Sequence, residues 1–199
     1  MNRRGQNLAG PLGGSGMIGL WGVSSFIKSV QYGNVSATNA SSLTGTATIT
    51  AVDTANSVLL FNGNTTSDST NYQIDAYQTG YLTLTNATTV TVTRGGADGN
   101  GNIVVNFCVV EFMPGVIRSV QAGTIALNNG VTTNTVAITT VNTAKSVLFY
   151  NNKYTNQGPL ASGIAHWSKL DLTNSTTITA TRAGNTNHEY PAYVLVEFF

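Results

Sequence analysis

Charge is scarce in this chain. Its 199 residues include nine Lys and Arg, eight Asp and Glu and two His, so charged side chains make up 9% of the sequence, against about 25% in an ordinary soluble domain. A net charge of +1 offers no field to hold nucleic acid or a membrane surface, and it does little to oppose self-association. The single cysteine, Cys108, excludes an internal disulfide and lies in an apolar run, where a thiol reads as a small hydrophobe. Two small domains without disulfides point to folding in a reducing cytoplasm. Histidine is limited to His166 and His188, and no HxxH, HExxH or CxxC spacing is present, so no metal site is expected. The carboxylates are scattered, and neither a nucleophile elbow nor a phosphate-binding loop occurs, so neither an enzyme nor a cofactor is expected. No apolar run of about 18 residues exists to cross a bilayer as a helix.

What is present is a module written twice. Val52-Asp53-Thr54-Ala55-Asn56-Ser57-Val58-Leu59-Leu60-Phe61 returns as Val141-Asn142-Thr143-Ala144-Lys145-Ser146-Val147-Leu148-Phe149-Tyr150. Three further blocks recur in the same order: Ile27 to Gln31 as Ile117 to Gln121, Leu82 to Arg94 as Leu170 to Arg182, and Val109 to Phe112 as Leu195 to Phe198. The spacing between copies drifts by a residue or two at each loop, where insertions and deletions are tolerated.

Within each copy the pattern is β. Leu82-Thr83-Leu84-Thr85, Thr89-Val90-Thr91-Val92-Thr93 and Thr177-Ile178-Thr179-Ala180-Thr181 alternate with period two, which predicts half-buried strands with threonine facing out. The unbroken runs Val58 to Phe61 and Val147 to Tyr150 predict strands covered on both faces, at the centre of a sandwich. Turn residues punctuate each copy at short intervals, giving about six or seven strands per module. The reading is all-β: two tandem antiparallel β-sandwich domains, residues 26–113 and 116–199, joined at Pro114-Gly115 and preceded by an extended Gly-rich arm, residues 1–25.

Each module carries a cation near its first strand, Lys28 or Arg118, and a carboxylate in its last, Glu111 or Glu197. If those strands lie side by side, Lys28 pairs with Glu111 and Arg118 with Glu197, with Arg94 and Arg182 as alternative partners. The arm interrupts its apolar residues with Gly and Pro, so it has no signal-peptide h-region. We expect it to dock on another subunit, with Met17, Ile18, Leu20 and Trp21 as anchors and Trp21 as the best hot spot. Aromatics beside neutral amides, Tyr77, Tyr154, His166 and Trp167, are candidate glycan contacts, although such residues also fill cores and interfaces.

The order Ile-Lys-Ser-Val-Gln, a Thr- and Ala-rich strand, Val-Asp-Thr-Ala-Asn-Ser-Val-Leu-Leu-Phe and a closing Val-Val-Glu-Phe resembles small β modules encoded among bacteriophage structural genes. The resemblance covers residues 27 to 112 and again 117 to 198. It implies a non-enzymatic virion protein, made in the host bacterial cytoplasm, that attaches through its arm to capsid or tail proteins as a tail fibre, other surface projection or capsid decoration. Repeat symmetry adds the expectation of a homo-oligomer, with a trimer presenting six modules favoured. The rival expectation is a lectin-like carbohydrate-binding module that recognises a host surface glycan.

Overall fold

The computed structural model describes residues 26–38, 42–66, 78–96, 102–155 and 167–199. Among these residues the chain forms twelve strands and two single-turn 3₁₀ segments. The first module holds β1 (Ile27–Ala37), β2 (Thr44–Thr48), β3 (Ser57–Thr66), β4 (Gly80–Asn86), β5 (Thr89–Arg94) and β6 (Ile103–Phe112). The second holds β7 (Ile117–Thr124), β8 (Thr133–Ala137), β9 (Ser146–Thr155), β10 (Ser168–Asn174), β11 (Thr177–Arg182) and β12 (Glu189–Phe198). Every pairing is antiparallel. The sheets β1-β6-β3 and β2-β5-β4 face each other in the first module, and β7-β12-β9 and β10-β11-β8 repeat that pair in the second.

The cores follow from alternation. On β5, Val90 and Val92 point inward, and on β6 Ile103, Val105, Phe107 and Val109 do the same, to meet Val35, Leu59 and Leu82 between the sheets. The second core repeats this with Ile178, Ala180, Tyr193 and Leu195, joined by Ile125, Leu127 and Val141. The threonines between these positions stay at the surface, where Thr85 pairs with Thr91 and Thr173 with Thr179 through their hydroxyls.

The expected strand order needs one correction. The apolar runs of β3 and β9 lie at sheet edges, and the central strands are β6 and β12. A run that is apolar on both sides needs cover on both faces. Leu59 gains it from the module's own core, while Val58 and Leu60 gain it from the neighbouring module.

The first and last strands of each module are neighbours, Ser29 opposite Glu111 and Ser119 opposite Glu197. The repeated Val-Asp/Asn-Thr-Ala signature follows from this placement. Glu111 is buried, and its Oε1 accepts the Asp53 N–H at 2.9 Å; Glu197 does the same for the Asn142 N–H at 2.8 Å. Asp53 and Asn142 then use their own side-chain oxygens to cap the 3₁₀ turns Thr54–Asn56 and Thr143–Lys145, accepting from Ala55 and Ala144. The last strand thereby anchors the loop that launches β3 or β9. Between the modules, Val116 N–H donates to the Met113 carbonyl, and Gly115 takes φ 85° in a Pro-Gly turn that a side chain would strain.

Candidate functional site at the module junction

The two modules meet edge on face. The first brings its 3₁₀ turn, β3 and β4; the second offers the outer side of β7-β12-β9. Val58 and Leu60 enter an apolar cluster with Val120, Phe149, Val194 and Val196, closed at its rim by Phe112 against Phe198, with ring centroids 6.0 Å apart. At the other end, Asn151 and Asn152 reach across from β9 to donate to the carbonyls of Leu82 and Gly80, at 3.0 and 2.8 Å. Asn152 holds φ 65° to do so, in the left-handed region that Asn tolerates better than most side chains. Tyr81 of β4 stacks on Tyr154 of β9, which stacks on Tyr190 of β12, at 5.4 and 4.5 Å. Gly95 completes the contact: a Cβ there would stand 1.5 Å from the Thr155 carbonyl oxygen.

A cleft of about 280 Å³ remains between the modules, lined by Thr54, Ser57, Tyr81, Thr83, Val120 and Asn151 among others. It is slightly smaller than a common ligand pocket, about 300–1,000 Å³. Among the described residues its lining offers hydroxyls, an amide and apolar contact, with no carboxylate, histidine or lysine. The buried Asn151 Oδ1 carries no hydrogen bond.

The second module also encloses a charged cluster that the sequence reading missed. Lys153, Arg182 and Glu189 have fully buried side chains. Glu189 Oε1 accepts from Ser168 Oγ at 2.7 Å and lies 4.0 Å from Lys153 Nζ, while its Oε2 is 3.9 Å from Arg182 Nη1. Lys153 Nζ sits 4.5 Å from the centroid of the Trp167 ring, within cation–π range. Arg182 donates to the carbonyls of Asn128, Val131 and Asn187. Burial pushes the Glu189 carboxyl above its ordinary value, against the opposing pull of Ser168, Lys153 and Arg182, and it lowers the Arg182 guanidinium despite Glu189. Because all three side chains are closed off from solvent, the cluster acts as an internal pin across β9, β11 and β12. The signal for it was a difference between the copies: Glu189 stands where the first module has Ile103, and Lys153 where it has Asn64.

The residues singled out from sequence fall in three groups. Lys28 Nζ lies 2.8 Å from Glu111 Oε1 and Arg118 Nε 3.8 Å from Glu197 Oε2, each an exposed cation against a buried carboxylate. Burial raises Glu111, but hydrogen bonds from Lys28, the Asp53 N–H and Ser29 outweigh it and hold the carboxyl below its ordinary value. The alternative partners are engaged elsewhere: Arg94 donates Nε to the Ser42 carbonyl, and Arg182 pairs with Glu189. Of the glycan candidates, Tyr154 is held in the junction stack, whereas Trp167 is 64% exposed beside a shallow groove lined by Lys169, Thr181, Arg182 and Ala183. Tyr77, His166 and the arm anchors Met17, Ile18, Leu20 and Trp21 lie outside the described residues. Cys108 is buried as expected, and burial pushes its thiol up despite a hydrogen bond from Tyr32.

Compared with protein families, with curated proteins and with solved structures, the chain matches none.

Proposed function

We propose that this chain is a non-catalytic structural component of a bacteriophage virion, a two-module surface projection or decoration that attaches to capsid or tail proteins through residues 1–25. The observation that carries the reading is the junction. Two sandwiches of the same topology are locked edge on face by apolar packing, two amide hydrogen bonds and a tyrosine stack, a construction suited to a spacer of fixed geometry. Its buried ionisable groups support the same reading, since Glu111, Glu197 and the Lys153–Arg182–Glu189 cluster are each engaged in holding strands and loops together. Immunogold labelling of intact particles with an antibody against this chain tests the proposal. Regular labelling of particles is expected, and recovery of the chain only in the soluble fraction of infected cells overturns it. Removing residues 1–23 is expected to abolish incorporation; particles that incorporate the shortened chain normally would refute the attachment role of the arm.

A second reading, glycan recognition, rests on Trp167, whose ring is exposed beside a shallow groove while Lys153 holds it from behind. An exposed indole offers a flat apolar face on which a sugar ring stacks. A glycan array with the wild type and Trp167→Ala decides it: binding lost in the variant supports this reading, and no binding, or binding indifferent to the change, removes it.

A further inference from the structure

We infer that the outer face of the β1-β6-β3 sheet is a docking surface for a second copy of this chain, which approaches with the β9 edge of its second module. This goes beyond the virion reading and is independent of it, because it follows from the equivalence of the two modules. Within one chain, the first module uses an edge and the second uses a face. By the repeat, each module owns both surfaces; the junction takes the β3 side of the first module's face and the later part of β9, so the β1 side of that face, around Val30, and the start of β9, around Val147, are left over.

The leftover surfaces keep the residues that fill the junction. Ile117 and Val58 are 5% and 3% exposed inside it, whereas their counterparts Ile27 and Val147, the same residue types in the other copy, are 44% and 43% exposed. Val120 is half-buried at the junction, and its counterpart Val30 is 43% exposed. Val30 lies opposite Val110 on the open face, and Tyr32 beside it, opposite Cys108, is 77% exposed. Isolated apolar residues at a surface are ordinary. Ile27, Val30 and Val147 repeat, residue for residue, positions that a neighbouring module covers elsewhere in the same chain, and Tyr32 extends the exposed face beside them.

The occupant is not seated identically. Lys169, Asp171 and Ala183 replace Tyr81, Thr83 and Gly95, and Lys169 and Asp171 pair with each other at the surface at 2.7 Å. A charged edge resists further strand contact, and a side chain at the Gly95 position has no room against the facing strand. The β10 and β11 end therefore stands off, and contact between chains runs through the turn Thr143–Lys145 and the start of β9. Such a contact is weaker than the tethered junction and joins unlike surfaces. It propagates head to tail, closing into a ring or running on as a filament.

The test is mass photometry and sedimentation velocity of the full chain over roughly a hundredfold range of concentration, with Val30→Asp blocking the face and Val147→Asp blocking the edge. Both sites are exposed enough for the fold to survive, which thermal melting checks, and Tyr32→Asp supplies a second face variant. The wild type is expected to form assemblies that grow with concentration, and each variant to weaken association about tenfold or more. Val30→Asp keeps its edge and Val147→Asp keeps its face, so an equimolar mixture is expected to yield heterodimers and stop there. A wild type that stays monomeric throughout, or variants that associate as the wild type does, overturn the inference. So does a mixture that restores nothing, and so does association lost on removing residues 1–23 but indifferent to all three substitutions.

Discussion

Glu111 and Glu197 each organise a module from the inside, because one carboxylate gathers a cation, a serine and the backbone N–H at the head of a loop. With its folded pKa held below the ordinary value, Glu111 contributes stability that is fully present above the unfolded pKa and is lost as pH falls through the depressed folded one. Denaturant titration is therefore expected to find Glu111→Gln about 1–3 kcal/mol less stable than wild type at neutral pH, with the gap closing in acid. Lys28→Met is expected to matter less, about 0–1 kcal/mol, since half of that side chain is in water. Glu189 carries the opposite sign: its raised value means that its ionisation destabilises the fold as pH rises through it. Glu189→Ile alone strands Lys153 and Arg182 and is expected to cost about 3–5 kcal/mol, whereas Lys153→Asn combined with Glu189→Ile, the pair that the first module carries, is expected to be near neutral or stabilising. A double-mutant cycle by chemical denaturation checks both. A double change that costs the sum of the two single changes would show that the pin is not a coupled unit. The Glu111 frame was legible because both copies repeat it. The Lys153–Arg182–Glu189 pin was not, because a single sequence does not show which isolated polar residues meet across strands that lie dozens of residues apart.

Among the strands, β3 and β9 show where sequence pattern stops being sufficient. An apolar run on both sides states that a strand is covered twice, but not by what; a central place in one sheet and an edge place against a neighbour satisfy it equally. The alternating Thr strands β5 and β11 had no such ambiguity, since one buried face fits one arrangement, and they lie where their pattern requires. The edge role of β3 was readable only in retrospect, from Asn151, Asn152 and Gly95, whose partners lie in the other module. Gly95 is the element-scale test. Gly95→Ala puts a methyl against the Thr155 carbonyl and is expected to lower the melting temperature by roughly 5 °C, while Ala183→Gly, at the equivalent but open position, is expected to shift it by about 1 °C or less downward. Circular dichroism melts compare them directly, and equal effects would mean that the junction does not press on Gly95.

For the whole molecule, the duplication visible in the sequence predicted two sandwiches, and the structure adds that they are joined by unlike surfaces. That asymmetry separates the roles of the repeated copies: the β3 side of one and the outer face of the other are spent within the chain, and the β1 side of the first module's face and the start of β9 remain. Function was less legible than fold because the residues that distinguish the copies are contact residues, spread over strands, with no spacing motif to mark them. A junction this extensive makes the two modules one cooperative unit, which differential scanning calorimetry of the full chain measures. A single transition is expected, with calorimetric and van't Hoff enthalpies in agreement, and Leu60→Asp, which places a charge in the junction, is expected to split it into two. Two separate transitions in the wild type, at positions unmoved by Leu60→Asp, would mean that the modules unfold independently and the junction does not couple them.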